Sequence, residues 1–249
     1  VPEGTVNLCL NGYGIKLTGG KITVGANSTL NLYDCNESNT TYYIVPDANG
    51  RVSSISNSSS EGAVAVSGGY IANAPQWAIS IEGGSFNLYG GTICFNCGGV
   101  KLTAGSFTMY GGTISHNKNS GQFGGGVYIG TGGTFILNDG YITDNQAYAG
   151  AGVSNFGGTF TMNGGEISSN RGDELGGGVE NETTFTMTGG VISGNTASMG
   201  AGVGGGGVIT LTGGSIINNT ASYIGGGIII KSGEFHISGA PVIKDNVKA

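Results

Sequence analysis

The sequence predicts an all-β protein built as a parallel β-solenoid, and three observations carry that prediction. A Gly-Gly-x-Ile element recurs as GGTICFN at 90, GGTISHN at 111, DGYITDN at 139, GGEISSN at 164, GGVISGN at 189 and GGSIINN at 213. The asparagines that end these elements lie 21, 28, 25, 25 and 24 residues apart, an interval typical of stacked repeats. No segment has the 3.6-residue apolar spacing of a helix, whereas each repeat holds short alternating runs bounded by glycine.

Each element of the repeat has a physical assignment. The run before each Gly-Gly, from Phe86-Asn-Leu88 and Phe107-Thr-Met109 to Phe235-His-Ile237, alternates apolar with polar, so Phe and Met share one face of a strand and Thr the other. The Ile strand follows, then Asn96, Asn117, Asn145, Asn170, Asn195 and Asn219, with a degenerate copy at Asn246. These asparagines are expected to stack as an internal ladder, bonding turn backbone and the coils on either side. A variable loop is expected next, then a third strand, as in GGGVYIG at 124 and GAGVSNF at 150. A unit of this size cannot bury its apolar face alone, so successive units must stack around a shared interior.

Residues 1–249 read as a single domain. Residues 1–35 align as N-terminal coils, with Val6 and Leu8 matching Leu30 and Leu32. Residues 36–62, rich in Ser and Asn with an Asn49-Gly50 turn signal, break the pattern as an inserted loop or hairpin. Residues 63–249 carry the regular coils. The whole predicts about nine coils of ~25 residues with three short strands each, in a body roughly 45 Å long at about 4.8 Å per coil.

Composition narrows the function classes. The 249 residues include 53 Gly, only 10% are charged, and 38% are hydrophobic, which argues against disorder; the glycines lack a collagen period. With net charge −6 and nine Lys and Arg scattered singly, no basic stripe for nucleic acid is visible. No apolar run approaches a membrane span. The chain opens VPEGTV and closes KDNVKA without an initiating Met, and reads as a domain of something longer.

The opening NLCLNGY…ITVGANSTLNLYDC and the GGxI..N…GGGV repeats resemble the right-handed parallel β-helix regions of large surface proteins from gut Gram-positive bacteria, and more loosely autotransporter passengers and polymorphic outer-membrane proteins. The resemblance covers almost the whole chain. It implies a right-handed helix, an extracellular location at a bacterial cell surface, and an adhesin-like part in host interaction. The expected function is therefore a non-catalytic binding module for a host glycoprotein, glycan or immunoglobulin, monomeric and without cofactor or metal. A purely structural stalk and a glycan-active enzyme are the alternatives.

Candidate site residues follow from exposure and chemistry. Arg171-Gly172-Asp173, with Glu174, falls in the loop expected after Asn170 and resembles an integrin-recognition tripeptide. Tyr89 above Tyr110, with Trp77 and Phe95, reads either as an aromatic platform for a sugar or protein or as packing of an edge or cap. Thr159 and Thr161 stack on Thr184 and Thr186, columns that resemble ice-binding faces; β-branched Thr is also what exposed strands prefer. Glu166, Asp173, Glu174, Glu180 and Glu182 form one acidic concentration, read as a solvated loop over a calcium site. No two Asp share a column in neighbouring repeats, and His116 and His236 occupy different repeat positions, so no acid–base pair for glycan chemistry is legible. Cys9 and Cys35 are 26 residues apart, about one coil; a coil-to-coil disulfide and half-buried thiols are both open, because the strand alignment sets Cys9 opposite Tyr33. Cys94-x-x-Cys97 lacks the second pair that a zinc site needs.

Overall fold

A computed structural model describes residues 1–36 and 40–249, and among these there is no helix. The chain is a parallel β-solenoid, nine strands deep in the Ile-strand sheet that runs from Gly14–Lys16 to Val242–Lys244. The predicted register holds residue for residue: Phe135 pairs with Phe160 and Phe160 with Phe185. Val6 pairs with Leu30 and Leu8 with Leu32.

The coil has four strands where three were expected. One full turn reads Val127–Ile129, Gly133–Leu137, Tyr141–Thr143 and Gln146–Ala149. The fourth strand occupies the stretch assigned to a variable loop, and six such strands form their own parallel sheet from Lys118–Phe123 to Val247–Lys248. Its inward residues are small, Ala147, Gly172, Ala197 and Ala221, so it lacks the large apolar alternation by which a strand is read from sequence. In two earlier coils, Trp77–Leu88 and Gly98–Met109 run through the corner that later coils break at Gly130 to Gly133. They thereby join the Val-type and Phe-type strands into one 15-stranded sheet.

The interior consists of columns. Phe86, Phe107, Phe135, Phe160 and Phe185 stack at centroid separations of 4.6 to 5.0 Å, with Ile71 through Ile216 opposite, all fully or almost fully buried. Between them runs the asparagine ladder. Asn145 Nδ2 donates to Asn170 Oδ1 at 3.0 Å and to the Ile114 carbonyl at 3.0 Å. Asn170 repeats this toward Asn195 and Ile142, and Asn145 N also donates to Asn170 Oδ1. Each inner amide thus makes its full set of bonds with none to water, the condition under which a buried polar column stabilises. Glycine at 152 belongs to the same design: a Cβ there would lie 2.5 Å from the Gly178 carbonyl and 3.0 Å from Asn170 Nδ2.

The 36–62 excursion is larger than a hairpin. Thr41–Pro46 pairs antiparallel with both Val52–Ser56 and Val64–Ser67, so the regular coils resume after residue 67 rather than at 63. Its turn is closed by Asp47 Oδ1, which accepts from the backbone N–H groups of Asn49 and Arg51. This small sheet packs through Ile44, Val52 and Val66 onto Tyr70, Cys94 and Phe95. A disulfide joins Cys9 to Cys35, with Cα atoms 5.9 Å apart, even though the strand register sets Cys9 opposite Tyr33. Cys94 and Cys97 are free thiols, and burial pushes the Cys94 thiol pKa up.

The ladder sets a quantitative expectation. Asn170→Ala leaves Asn145 without its side-chain acceptor and the Ile142 carbonyl without its amide donor, all in a water-free interior. At about 1–3 kcal/mol per orphaned group, the substitution should cost roughly 3 kcal/mol or more. Urea denaturation checks this against Thr161→Ala on the outer face, which should cost under about 1 kcal/mol.

Candidate functional site

A concavity of about 560 Å³ lies where the inserted sheet meets the solenoid wall. That volume is within the roughly 300–1,000 Å³ of small-molecule sites. Its lining includes Trp77, Lys101, Lys118, Arg51, Gln76 and Gln122. Two adjoining hollows share Trp77 and Lys101 and extend the cleft toward Lys21 on one side and Phe123 with Tyr128 on the other.

Three local features build it. Trp77 opens the strand Trp77–Leu88 and is paired with Gly98 on the next coil. A Cβ at Gly98 would sit 2.6 Å from the indole, so glycine there lets the ring lie across the neighbouring strand. Lys101 stands next along the same wall, its Nζ 5.8 Å from the Tyr128 ring centroid, and Trp77 and Tyr128 are 6.1 Å apart. The Asp47 turn brings Asn49 and Arg51 over the opposite rim, where Lys118 Nζ donates to the Ala48 carbonyl at 3.0 Å. Gly50 sits so close to the Lys118 side chain that a Cβ would approach it to 2.9 Å. From Trp77 and Tyr128 the aromatic surface continues to Phe123, which meets Tyr148 at 6.0 Å and Phe156 at 5.7 Å. Phe156 is 51% exposed.

The charge of this region opposes that of the chain. Arg51, Lys101 and Lys118 line the main cleft and, among the described residues, no Asp or Glu does. None of the three is in a salt bridge among the described residues. Arg51 Nε is buried without a hydrogen-bond partner. The adjacent Lys21 is neutralised by Glu82 at 2.7 Å. That lysine's hydrogen bond, followed by one from Ser80, holds the Glu82 carboxyl below the usual range.

The residues expected from sequence are not brought together. Tyr89 and Tyr110 do stack outwardly with Tyr33, at 4.7 and 4.8 Å, 40% and 46% exposed, but they lie at the far end of the strand that Trp77 begins. Phe95 is no part of a platform: at 1% exposure it is buried beneath the inserted sheet and stacked on His116 at 5.1 Å. No local residue pattern marks the excursion as folding back over that position. Arg171-Gly172-Asp173 lies in the strand Arg171–Leu175, not in a loop; Arg171 and Asp173 are exposed and Gly172 is buried, so the tripeptide is flush with a sheet. Glu174 is half-buried beside it. Thr159 and Thr184 are exposed neighbours, as are half-buried Thr161 and Thr186. The five acidic residues do not converge, and no cluster of three metal-ligating side chains occurs among the described residues.

Arg51, Lys101, Lys118, Tyr128 and Phe123 were missed because they are distant in sequence and unremarkable singly. One signal was present: the 28-residue interval between Asn117 and Asn145 departs from the repeat, and the strand Lys118–Phe123 holds its extra residues. A second buried pair, Asn155 Nδ2 to Asn181 Oδ1 at 2.8 Å, was likewise outside the predicted ladder.

Among the described residues Glu180 is the one buried acidic side chain, accepting from Ser154 Oγ at 2.7 Å. Burial raises its pKa to about 7 against the partial counter-effect of that bond. The folded state therefore holds the proton more tightly than the unfolded chain. Its contribution is full below the unfolded value near 4.5 and is lost as pH rises to about 7, a span worth about 3 kcal/mol. Urea titrations at pH 4.5 and pH 8 should show that loss in the parent protein relative to Glu180→Gln, which cannot ionise.

Compared with known proteins, the chain matches no family model, no curated protein and no solved structure.

Proposed function

We propose that this chain is a non-catalytic, adhesin-like binding module of a bacterial cell surface and that it takes carbohydrate, free or on a host glycoprotein, in the Trp77 cleft. The observation that carries the reading is the aromatic surface of Trp77, Tyr128 and Phe123 bordered by the side-chain amides of Gln76 and Gln122. Aromatic faces stack on the apolar faces of sugar rings, and amides offer the paired donor and acceptor that sugar hydroxyls need. The absence of a carboxylate pair from the described lining supports binding without hydrolysis. The Cys9–Cys35 disulfide supports an oxidising, extracellular setting.

A stalk remains the second reading, favoured by the uninterrupted Phe and Asn columns, which make a stiff rod. The two readings separate cleanly because Trp77 is the only tryptophan of the chain, so its fluorescence reports on the cleft. Titration of the protein with a panel of plant, bacterial and mucin polysaccharides should shift that emission saturably for at least one. Calorimetry should then show Trp77→Ala weakening the same ligand at least tenfold while its thermal midpoint stays within a few degrees. A flat response across the panel would instead leave the stalk.

A further inference from the structure

Resting on the carbohydrate reading, we infer that the ligand is an acidic polysaccharide, with a carboxylate or sulfate group held by Lys101, Lys118 and Arg51 beside the sugar stacked on Trp77. Three of the chain's nine Lys and Arg line this one cleft, although the chain as a whole carries net charge −6. A neutral sugar gives no reason for such a concentration, and the nearest carboxylates, Glu82 beside Lys101 and Asp47 and Asp144 beside Lys118, line adjoining hollows and not the cleft itself. Each is fixed by structure rather than trailing in solvent. Lys101 lies over Tyr128, Lys118 is held by Ala48, and Arg51 sits half-buried behind the Asp47 turn.

The arrangement also selects among polyanions. Three cations within one cleft, on a surface otherwise acidic, suit a chain with charges spaced one or two sugars apart and repel a continuous phosphate backbone outside the cleft. The polar amides of Gln76 and Gln122 read hydroxyls, of which a polysaccharide has many and a nucleic acid few. Lys21 extends the cleft but is occupied by Glu82, so the anion is placed at the Lys101 end.

The test uses the full chain, with Trp77 emission and calorimetry as readouts. The probes are hyaluronan, which bears carboxylates only; carboxyl-reduced chondroitin sulfate, which bears sulfates only; carboxyl-reduced hyaluronan, which is neutral; and a 15-mer of deoxythymidine. Binding of either acidic polymer but not the neutral one supports the inference, and which of the two binds identifies the anionic group. Raising NaCl from 50 to 200 mM should weaken that binding roughly tenfold. Lys101→Gln should weaken it by a further tenfold or so, and Lys231→Gln, outside the cleft, should not. Lys118→Gln also frees the Asp47 turn, so Lys101→Gln is the deciding variant. Equal binding of the neutral polymer, or indifference to Lys101→Gln, overturns the acidic assignment and leaves the carbohydrate reading standing. Binding of the oligonucleotide alone, or of no probe and no neutral polysaccharide, overturns both.

Discussion

The buried asparagine column is the constraint on which the rest of the molecule depends. A side-chain amide has two donors and two acceptor sites, and from Asn96 to Asn219 these are shared between neighbouring amides, backbone N–H groups and carbonyls of adjacent coils. That set is complete only when each coil lies in register with the next. A slip of one residue would reverse every side chain between core and solvent and strand each amide in an apolar interior. Phe stacking, the Ile column and the outer Thr columns all inherit their alignment from this condition. The adjacent residues Phe95, His116, Asp144, Ser169, Asn218 and Asp245 inherit a left-handed backbone, each at φ between 53° and 57°. Asn, Asp and His suit that conformation, whereas bulky Phe does not. Phe95 lies beneath the inserted sheet, where it gains burial that offsets the backbone cost.

The ladder constrains the Ile strand and its two ends far more than it constrains the corners. Chain length can therefore vary outside it, from 21 to 28 residues per coil, without disturbing the interior. Two additions, the sheet of residues 41–67 and the lengthened strand Lys118–Phe123, face one another across the same cleft. A regular solenoid presents flat walls; a concavity arises only where something is added to them. The cleft is the place where two additions meet, and its aromatic and cationic side chains come from both the additions and the wall between.

Function and stability are thereby separated in this protein. The columns that hold the fold are closed to water, satisfied in their hydrogen bonds and indifferent to what the outer positions carry. Trp77, Lys101 and Lys118 project from the wall, where substitution disturbs no column. Gly98 is the link between the two, since its missing Cβ both keeps the strand spacing and seats the Trp77 ring. Glu180 is the contrary case, a polar group inside the wall whose carboxyl burial leaves titrating near neutrality.

Period, strand polarity and the identity of the Asn, Phe and Ile columns were determined by the sequence alone, because stacking of like on like needs only the repeat interval and a two-residue alternation. The fourth strand was not legible, since its inward residues are Ala and Gly, which carry no strand signal of their own. Nor was the burial of Phe95, the flush setting of Arg171-Gly172-Asp173, or the assembly of Arg51, Lys101 and Lys118 into one positive cleft. Those depend on how an irregular segment folds back across the coils and on which corners lie above one another. Such distances are set by packing between residues 50 to 70 positions apart, and no local pattern encodes them. Tertiary structure alone decided where the candidate site lies; the sequence marked only that the repeat was broken there.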